Sequence, residues 1–227
     1  MAAIRAFVFD FNGVLVDDED LHYNSAQSAL LEQGWTLTRT DYYRKYLAYD
    51  DRQLFTNFLK DQNRVAKQDT IRNLMARKSC FYFKAIEVEV PVIEPTLRFI
   101  RRLPVDVPLA IASAAARKEI EVILERLQLR ARFSCVVAAE DVRRSKPHPE
   151  AFQVAFRQLR TLHPELRKEE VSVVEDSDRG IRAAHRAGLK CVAVTTSYSP
   201  TQLQEADLVT ESLGGWSVSK LEQALLG

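Results

Sequence analysis

Apolar residues recur along this chain with two different periods, and the changes of period divide it. Residues 6–9, AFVF, form an unbroken run of β-favouring side chains. Such a run predicts a strand covered on both faces, as at the centre of a parallel sheet. From residue 19 the spacing turns helical. Leu21, Ala26, Ala29 and Leu30 predict a helix over 19–33, stopped near Gly34. Further helices are expected over 40–48 and over 51–60, the latter from Leu54, Phe55, Phe58 and Leu59. A long one is expected over 67–86, from Ile71, Leu74, Met75, Phe81 and Phe83. No strand pattern interrupts 19–86. Pro91 and Pro95, in EVEVPVIEP, then break the helical period.

Beyond that break, strand and helix alternate. A helix over 97–103 precedes a strand over 108–113, PLAIAS, and a helix over 115–128. A strand over 133–138 and a helix over 149–159 follow, with Pro149 at a tolerated early position. VSVVED (171–176) is a strand, 178–187 a helix ended by Gly188, and 189–195 another strand. A short strand over 206–209 and a helix over 217–226 close the chain. This alternation argues an α/β fold with a parallel sheet covered on both faces. The first strand belongs with residues 93–227, and 17–92 is a helical insert.

Composition narrows the setting. The 227 residues are 46% hydrophobic and 28% charged, enough to bury a sizeable core. The net charge of +1 gives no electrostatic footprint for nucleic acid. No apolar run approaches the ~18 residues of a membrane span. Cys80, Cys135 and Cys191 have no zinc or disulfide spacing and are expected as reduced thiols. The first strand lies so near Met1 that no signal peptide is expected, and with the thiols this predicts a cytoplasmic protein.

The candidate chemistry sits where predicted strands end. Asp10 follows the first strand, before an Asn12-Gly13 turn. Ser113 closes PLAIAS, Lys146 lies in SKPHPE, and Glu175-Asp176 closes VSVVED. In a parallel sheet these ends share the edge where ligands bind. Taken singly, each has a plain structural alternative. Asp10 could cap its turn, Ser113 could be a helix N-cap, Lys146 a solvated charge, and Glu175-Asp176 a favourable helix start. Together, two acidic strand ends, a hydroxyl and an ammonium suit phosphoryl transfer. Asp10 can attack phosphorus, Mg²⁺ on Asp10 and Asp176 can offset the repulsion, and Lys146 and Ser113 can hold the transferring oxygens.

DFNGVLVD, IAS with Ala114, SKPHPE and EDSDRGIRAAHRAGL resemble, in order, the four motifs of the haloacid dehalogenase superfamily, in its β-phosphoglucomutase-like and phosphatase branch. The resemblance covers nearly the whole chain. It implies a Rossmann-like core (1–16 and 93–227) with an inserted α-helical cap (17–92). It also implies a Mg²⁺ site from Asp10, Asn12 through its backbone carbonyl, Glu175 and Asp176, and substrate contacts from Ser113, Ala114 and Lys146. His22 matches the cap hinge, and Arg52, in YDDRQLF, a cap loop that could pair with a distal phosphate or carboxylate. The implied function is a phosphohydrolase of a small phosphorylated metabolite, from a monomer or weak dimer, with no nucleic-acid or membrane partner. A sugar phosphomutase and a silent phosphate-binding protein are the alternatives.

The chain departs from the family pattern at Asn12, where the family has its acidic general acid/base. An amide does not exchange a proton near neutral pH, and such help is worth ~10²–10⁴-fold in rate. Low turnover, a preference for good leaving groups and accumulation of phosphoenzyme are therefore expected. The Asn12-Gly13 pair also predicts slow deamidation, because glycine leaves the amide open to the next backbone nitrogen.

Overall fold

The computed structural model describes residues 3–47 and 49–226. Two compact units divide it: Met1–Asp17 with Pro91–Gly227, and Asp18–Val90. The strands are β1 (Ala6–Phe9), β2 (Leu109–Ala112), β3 (Cys135–Val137), β4 (Val171–Glu175), β5 (Lys190–Val194) and β6 (Leu208–Thr210). The helices are α1 (Glu19–Leu31), α2 (Arg39–Asp41), α3 (Asp51–Asp61), α4 (Gln68–Val88), α5 (Glu94–Arg102), α6 (Arg117–Arg126), α7 (Glu150–Leu162), α8 (Asp178–Ala187) and α9 (Val218–Leu226).

All six strands pair in parallel, in the order β3-β2-β1-β4-β5-β6. Every residue of β1 is buried, as an apolar run without alternation requires. Its side chains still divide by the period of two. Ala6 and Val8 pack with Phe152, Ala155, Ile181 and Ala184 of α7 and α8. Phe7 and Phe9 face the other way, Phe7 meeting Phe99 of α5 edge-on at 5.5 Å between centroids. Burying such side chains contributes roughly 1.5–3 kcal/mol each. The chain leaves β1 in both directions across the sheet, towards β2 and towards β4. The carboxyl end of β1 is therefore the topological switch point where sheets of this kind bind ligands.

In the helical unit, α1, α3 and α4 close on Ala26, Leu30, Leu54, Phe55, Phe58 and Leu74. Asp50 caps α3, its side chain accepting from Gln53 N–H at 2.8 Å.

Several boundaries differ from the sequence reading. The helix expected over 40–48 is α2 followed by a π-turn, Tyr42–Tyr46, and Ala48 lies outside the described residues. In the wider turn Tyr42 and Tyr46 are both buried, with hydroxyls on Glu19 and, at 2.6 Å, Asp61. Helix α5 begins at Glu94, so Pro95 opens a helix that it was expected to precede. Helix α6 begins at Arg117, whose N–H reaches both oxygens of Glu140 at 3.2 and 3.0 Å, rather than at 115. The strand expected over 133–138 is only Cys135–Val137, because Arg130–Arg132 forms a 3₁₀ turn just before it.

Candidate active site

Asp10 continues the line of β1, its N–H donating to Val174 O of β4 at 2.9 Å. The next residues turn back tightly. Leu15 N–H reaches Phe11 O at 2.8 Å and Gly13 N–H reaches Val16 O at 2.7 Å. Gly13 has φ +75°, and a Cβ there would lie 1.9 Å from Asp176 Oδ2. Only glycine lets the turn pass so close to the carboxylate from β4.

Four of the expected residues converge. Lys146 Nζ stands 2.8 Å from Asp10 Oδ1 and donates to Glu175 Oε1 at 2.6 Å. Glu175 Oε2 accepts from Asp176 N–H at 2.9 Å and from Ser177 N–H and Oγ at 3.0 and 2.9 Å. Carboxylate oxygens of Asp10, Glu175 and Asp176 lie within 4.8 Å of one another. Ser113 lies at the end of β2, the strand beside β1. It is buried, and its Oγ accepts from Ala115 N–H at 3.1 Å. Ala114 beside it is exposed.

His22 and Arg52 belong to the helical unit and are engaged there. Arg52 is exposed and donates to Gln68 Oε1 at 3.1 Å. His22 stacks on Tyr82 at 4.5 Å. Its Nδ1 lies 2.9 Å from the buried Lys78 ammonium and its Nε2 lies 3.3 Å from Asp18 Oδ2. An ammonium can only donate, so Nδ1 accepts and Nε2 carries the hydrogen towards Asp18. Lys78 also pairs with Asp51, and Tyr82 OH with Asp18. The sequence reading passed over Lys78.

Other residues were missed as well. Arg179 holds Lys146 O through Nε and an Nη at 3.1 and 2.6 Å. The Phe152 ring lies 4.8 Å from Lys146 Nζ. Ser197, in the loop after β5, donates to Asp176 Oδ2. Gly180 admits the Glu175 carboxylate, since a Cβ there would fall 1.8 Å from Glu175 Cδ. The Gly in EDSDRG was the available signal for that close approach, whereas nothing in the sequence ties Ser197 to Asp176.

Burial pushes the Asp10 carboxyl up to about 6, against the pull of Lys146 and with a further push from Glu175. Burial, then Glu175 and Asp10, holds Asp176 well above the ordinary carboxylate range. Burial would lower Lys146, but Asp10 and Glu175 more than reverse it, so the ammonium stays charged. Three carboxylates facing one ammonium leave negative charge uncompensated. Asp10 Oδ1 is buried and, although Lys146 is near, has no aligned hydrogen-bond donor. A hard divalent cation with oxygen ligands, Mg²⁺ above all, fits this donor set.

A parallel sheet whose switch point gathers carboxylates and a lysine is the arrangement of an α/β protein with a charged site at the sheet edge. The chain belongs to the haloacid dehalogenase-like hydrolases, whose family model matches residues 7–194. Several of its curated relatives are named as phosphatases. The phosphorylated carbohydrates phosphatase of Thermotoga maritima is 25% identical over 82% of this chain and 83% of its own length. The chloroplastic 5-amino-6-(5-phospho-D-ribitylamino)uracil phosphatase of Arabidopsis thaliana is 28% identical over 95% of this chain, which spans 56% of that protein. In structure, β-phosphoglucomutase from Clostridium difficile superposes with a TM-score of 0.81 over 98% of this chain and 97% of its own, at 20% identity. The chain is therefore a hydrolase of phosphorylated metabolites. Among the described residues no helix is long and apolar enough to cross a membrane.

Proposed function

We propose that the chain is a Mg²⁺-dependent phosphohydrolase of a small phosphorylated metabolite, acting through an aspartyl-phosphate on Asp10. The convergence of Asp10, Lys146, Glu175 and Asp176 at the switch point carries this reading. The Asp10 and Asp176 side chains and the Asn12 carbonyl oxygen are the groups that would hold the cation. Glu175 adds its charge behind them, its oxygens already engaged by Lys146, Asp176 N–H and Ser177. Bound there, Mg²⁺ would neutralise charge between nucleophile and phosphate.

The side chains supply the rest. An Asp10 oxygen attacks phosphorus in line with the leaving group. Lys146, kept charged by two carboxylates, neutralises a transferring oxygen. Ser113 already uses its oxygen as an acceptor, so it offers its hydroxyl hydrogen to another. The helical unit is the cap of this enzyme, and the phosphatase relatives that are similar along most of the chain support a small phosphorylated metabolite as its substrate.

Phosphate release from p-nitrophenyl phosphate, with and without Mg²⁺, tests the reading. Asp10→Asn should abolish it, whereas Ser113→Ala, which removes one hydrogen bond, should lower it by about 10²–10³-fold. Near-native turnover by Asp10→Asn would refute the covalent route.

A further inference from the structure

We infer that the phosphoryl donors this site accepts are those whose leaving group departs as a stable anion, acyl phosphates above all, and not phosphate esters of alcohols. The inference rests on the phosphohydrolase reading and narrows it.

The structure carries it through the commitments of the polar groups around Asp10. Lys146 is pinned between Asp10 Oδ1 at 2.8 Å and Glu175 Oε1 at 2.6 Å. Its ammonium is committed to these two carboxylates and not to a departing oxygen. Glu175 is fully buried and accepts hydrogen bonds on both oxygens. Asp176 accepts from Ser197 and would be one of the cation's ligands. Asn12 lies two residues beyond the nucleophile, in the turn closed by Gly13 N–H on Val16 O at 2.7 Å, and its amide neither gives nor takes a proton near neutral pH. None of these four groups, Lys146, Glu175, Asp176 and Asn12, is set up to hand a proton to a departing oxygen.

The chemistry of the leaving group then selects the substrate. With an alkyl phosphate, attack by Asp10 breaks the P–O bond and leaves an alkoxide, whose conjugate acid has a pKa near that of water, about 16. Without a proton that step stalls. With an acyl phosphate the same bond breaks, and the electron pair leaves on a carboxylate whose acid has a pKa of about 4. No proton is needed, and charge balances: acyl phosphate dianion and Asp10 carboxylate give free carboxylate and aspartyl-phosphate dianion. In the second step water adds to phosphorus, the bond to Asp10 breaks, and its electron pair returns to the carboxylate. Both water protons stay on the product as H₂PO₄⁻, which then equilibrates with solvent. That step goes without a base, but slowly, so phosphoenzyme builds up.

Donors matched in size decide the matter: acetyl phosphate against ethyl phosphate, and p-nitrophenyl against p-nitrobenzyl phosphate, each with the unaltered protein and Mg²⁺. In each pair kcat/KM should favour the acidic leaving group by about 10²-fold or more, and Asn12→Asp should shrink that preference by a similar factor. Intact-protein mass spectrometry during turnover of acetyl phosphate should show a phosphate adduct that Asp10→Asn lacks. Equal rates within each pair would overturn the inference and leave the phosphohydrolase reading standing. If no donor turns over and no Asp10-dependent adduct forms, the phosphohydrolase reading fails, and the inference with it. The comparison within each pair needs only the unaltered protein, so a poorly folding Asn12→Asp would not obscure the result.

Discussion

At Asn12-Gly13 the chemistry of two side chains and the local backbone pull in opposite directions. In a flexible peptide this pair invites deamidation, because glycine leaves the Asn amide open to the next backbone nitrogen. Here that nitrogen, Gly13 N, is buried and donates to Val16 O at 2.7 Å. Its attack on the Asn12 side chain would require breaking this bond and opening the turn. The folded turn is therefore expected to slow this deamidation. Peptide mass spectrometry after days at neutral pH should find Asn12 intact while the protein is folded. The same peptide should deamidate readily once the protein is denatured. Equal rates in the two states would show that the turn gives no protection. Any activity measured on folded protein is then that of the asparagine form.

Among the elements, β4 and α8 are joined by a very close approach. Ser177 caps α8, its Oγ accepting from Gly180 N–H at 3.1 Å, and the same hydroxyl donates to Glu175. Gly180 then lies against the Glu175 carboxylate, with no room for a Cβ. Gly180→Ala should push Glu175 off Lys146 and cost about 1–3 kcal/mol, the usual range for overpacking. Gly34 is the comparison: its φ is +73° and nothing lies within 4 Å of a Cβ there, so Gly34→Ala should cost only the backbone strain, roughly 1–2 kcal/mol. Thermal melts, with Mg²⁺ affinity by calorimetry, check this pair. Gly180→Ala should weaken Mg²⁺ binding and Gly34→Ala should not. If Gly180→Ala binds Mg²⁺ as the unaltered protein does, Glu175 does not need its present position.

Across the whole molecule, the crowded carboxylates make stability depend on pH. The Asp10 carboxyl is raised from 3.8 to about 6 on folding, chiefly by burial. Between these values the folded state holds a proton that the unfolded chain has released. Stability of the metal-free protein therefore falls as pH rises through that window, and the loss persists above it. Asp176, raised for the same first reason, adds in the same direction. A cation that binds the ionised carboxylates reverses the sign. The gain in Tm on adding Mg²⁺ should be small near pH 5 and grow towards about pH 7.5. A gain that stays constant across that range would mean that these carboxylates do not hold the metal.

The alternation of apolar runs and helical spacing already dictated an α/β fold with a long helical insert, since unbroken apolar runs and a 3.6-residue spacing are written into the chain itself. The positions of Asp10, Ser113 and Glu175-Asp176 at strand ends, and of Lys146 in the loop after β3, were equally legible, because the apolar runs stop at these polar residues. Other features depend on neighbours far apart in sequence, which no local pattern encodes. Tyr42 and Tyr46 are both buried in a π-turn where periodicity suggested a plain helix. Pro95 starts a helix where punctuation suggested a break. The hold of Arg179 on Lys146 spans 33 residues, that of Ser197 on Asp176 spans 21, and the pairing of Lys78 with His22 spans 56. Sequence determined which groups stand at the sheet edge. Only the tertiary structure decided how their hydrogen bonds and charges are shared, because burial and competition among partners exist only once distant segments are packed together.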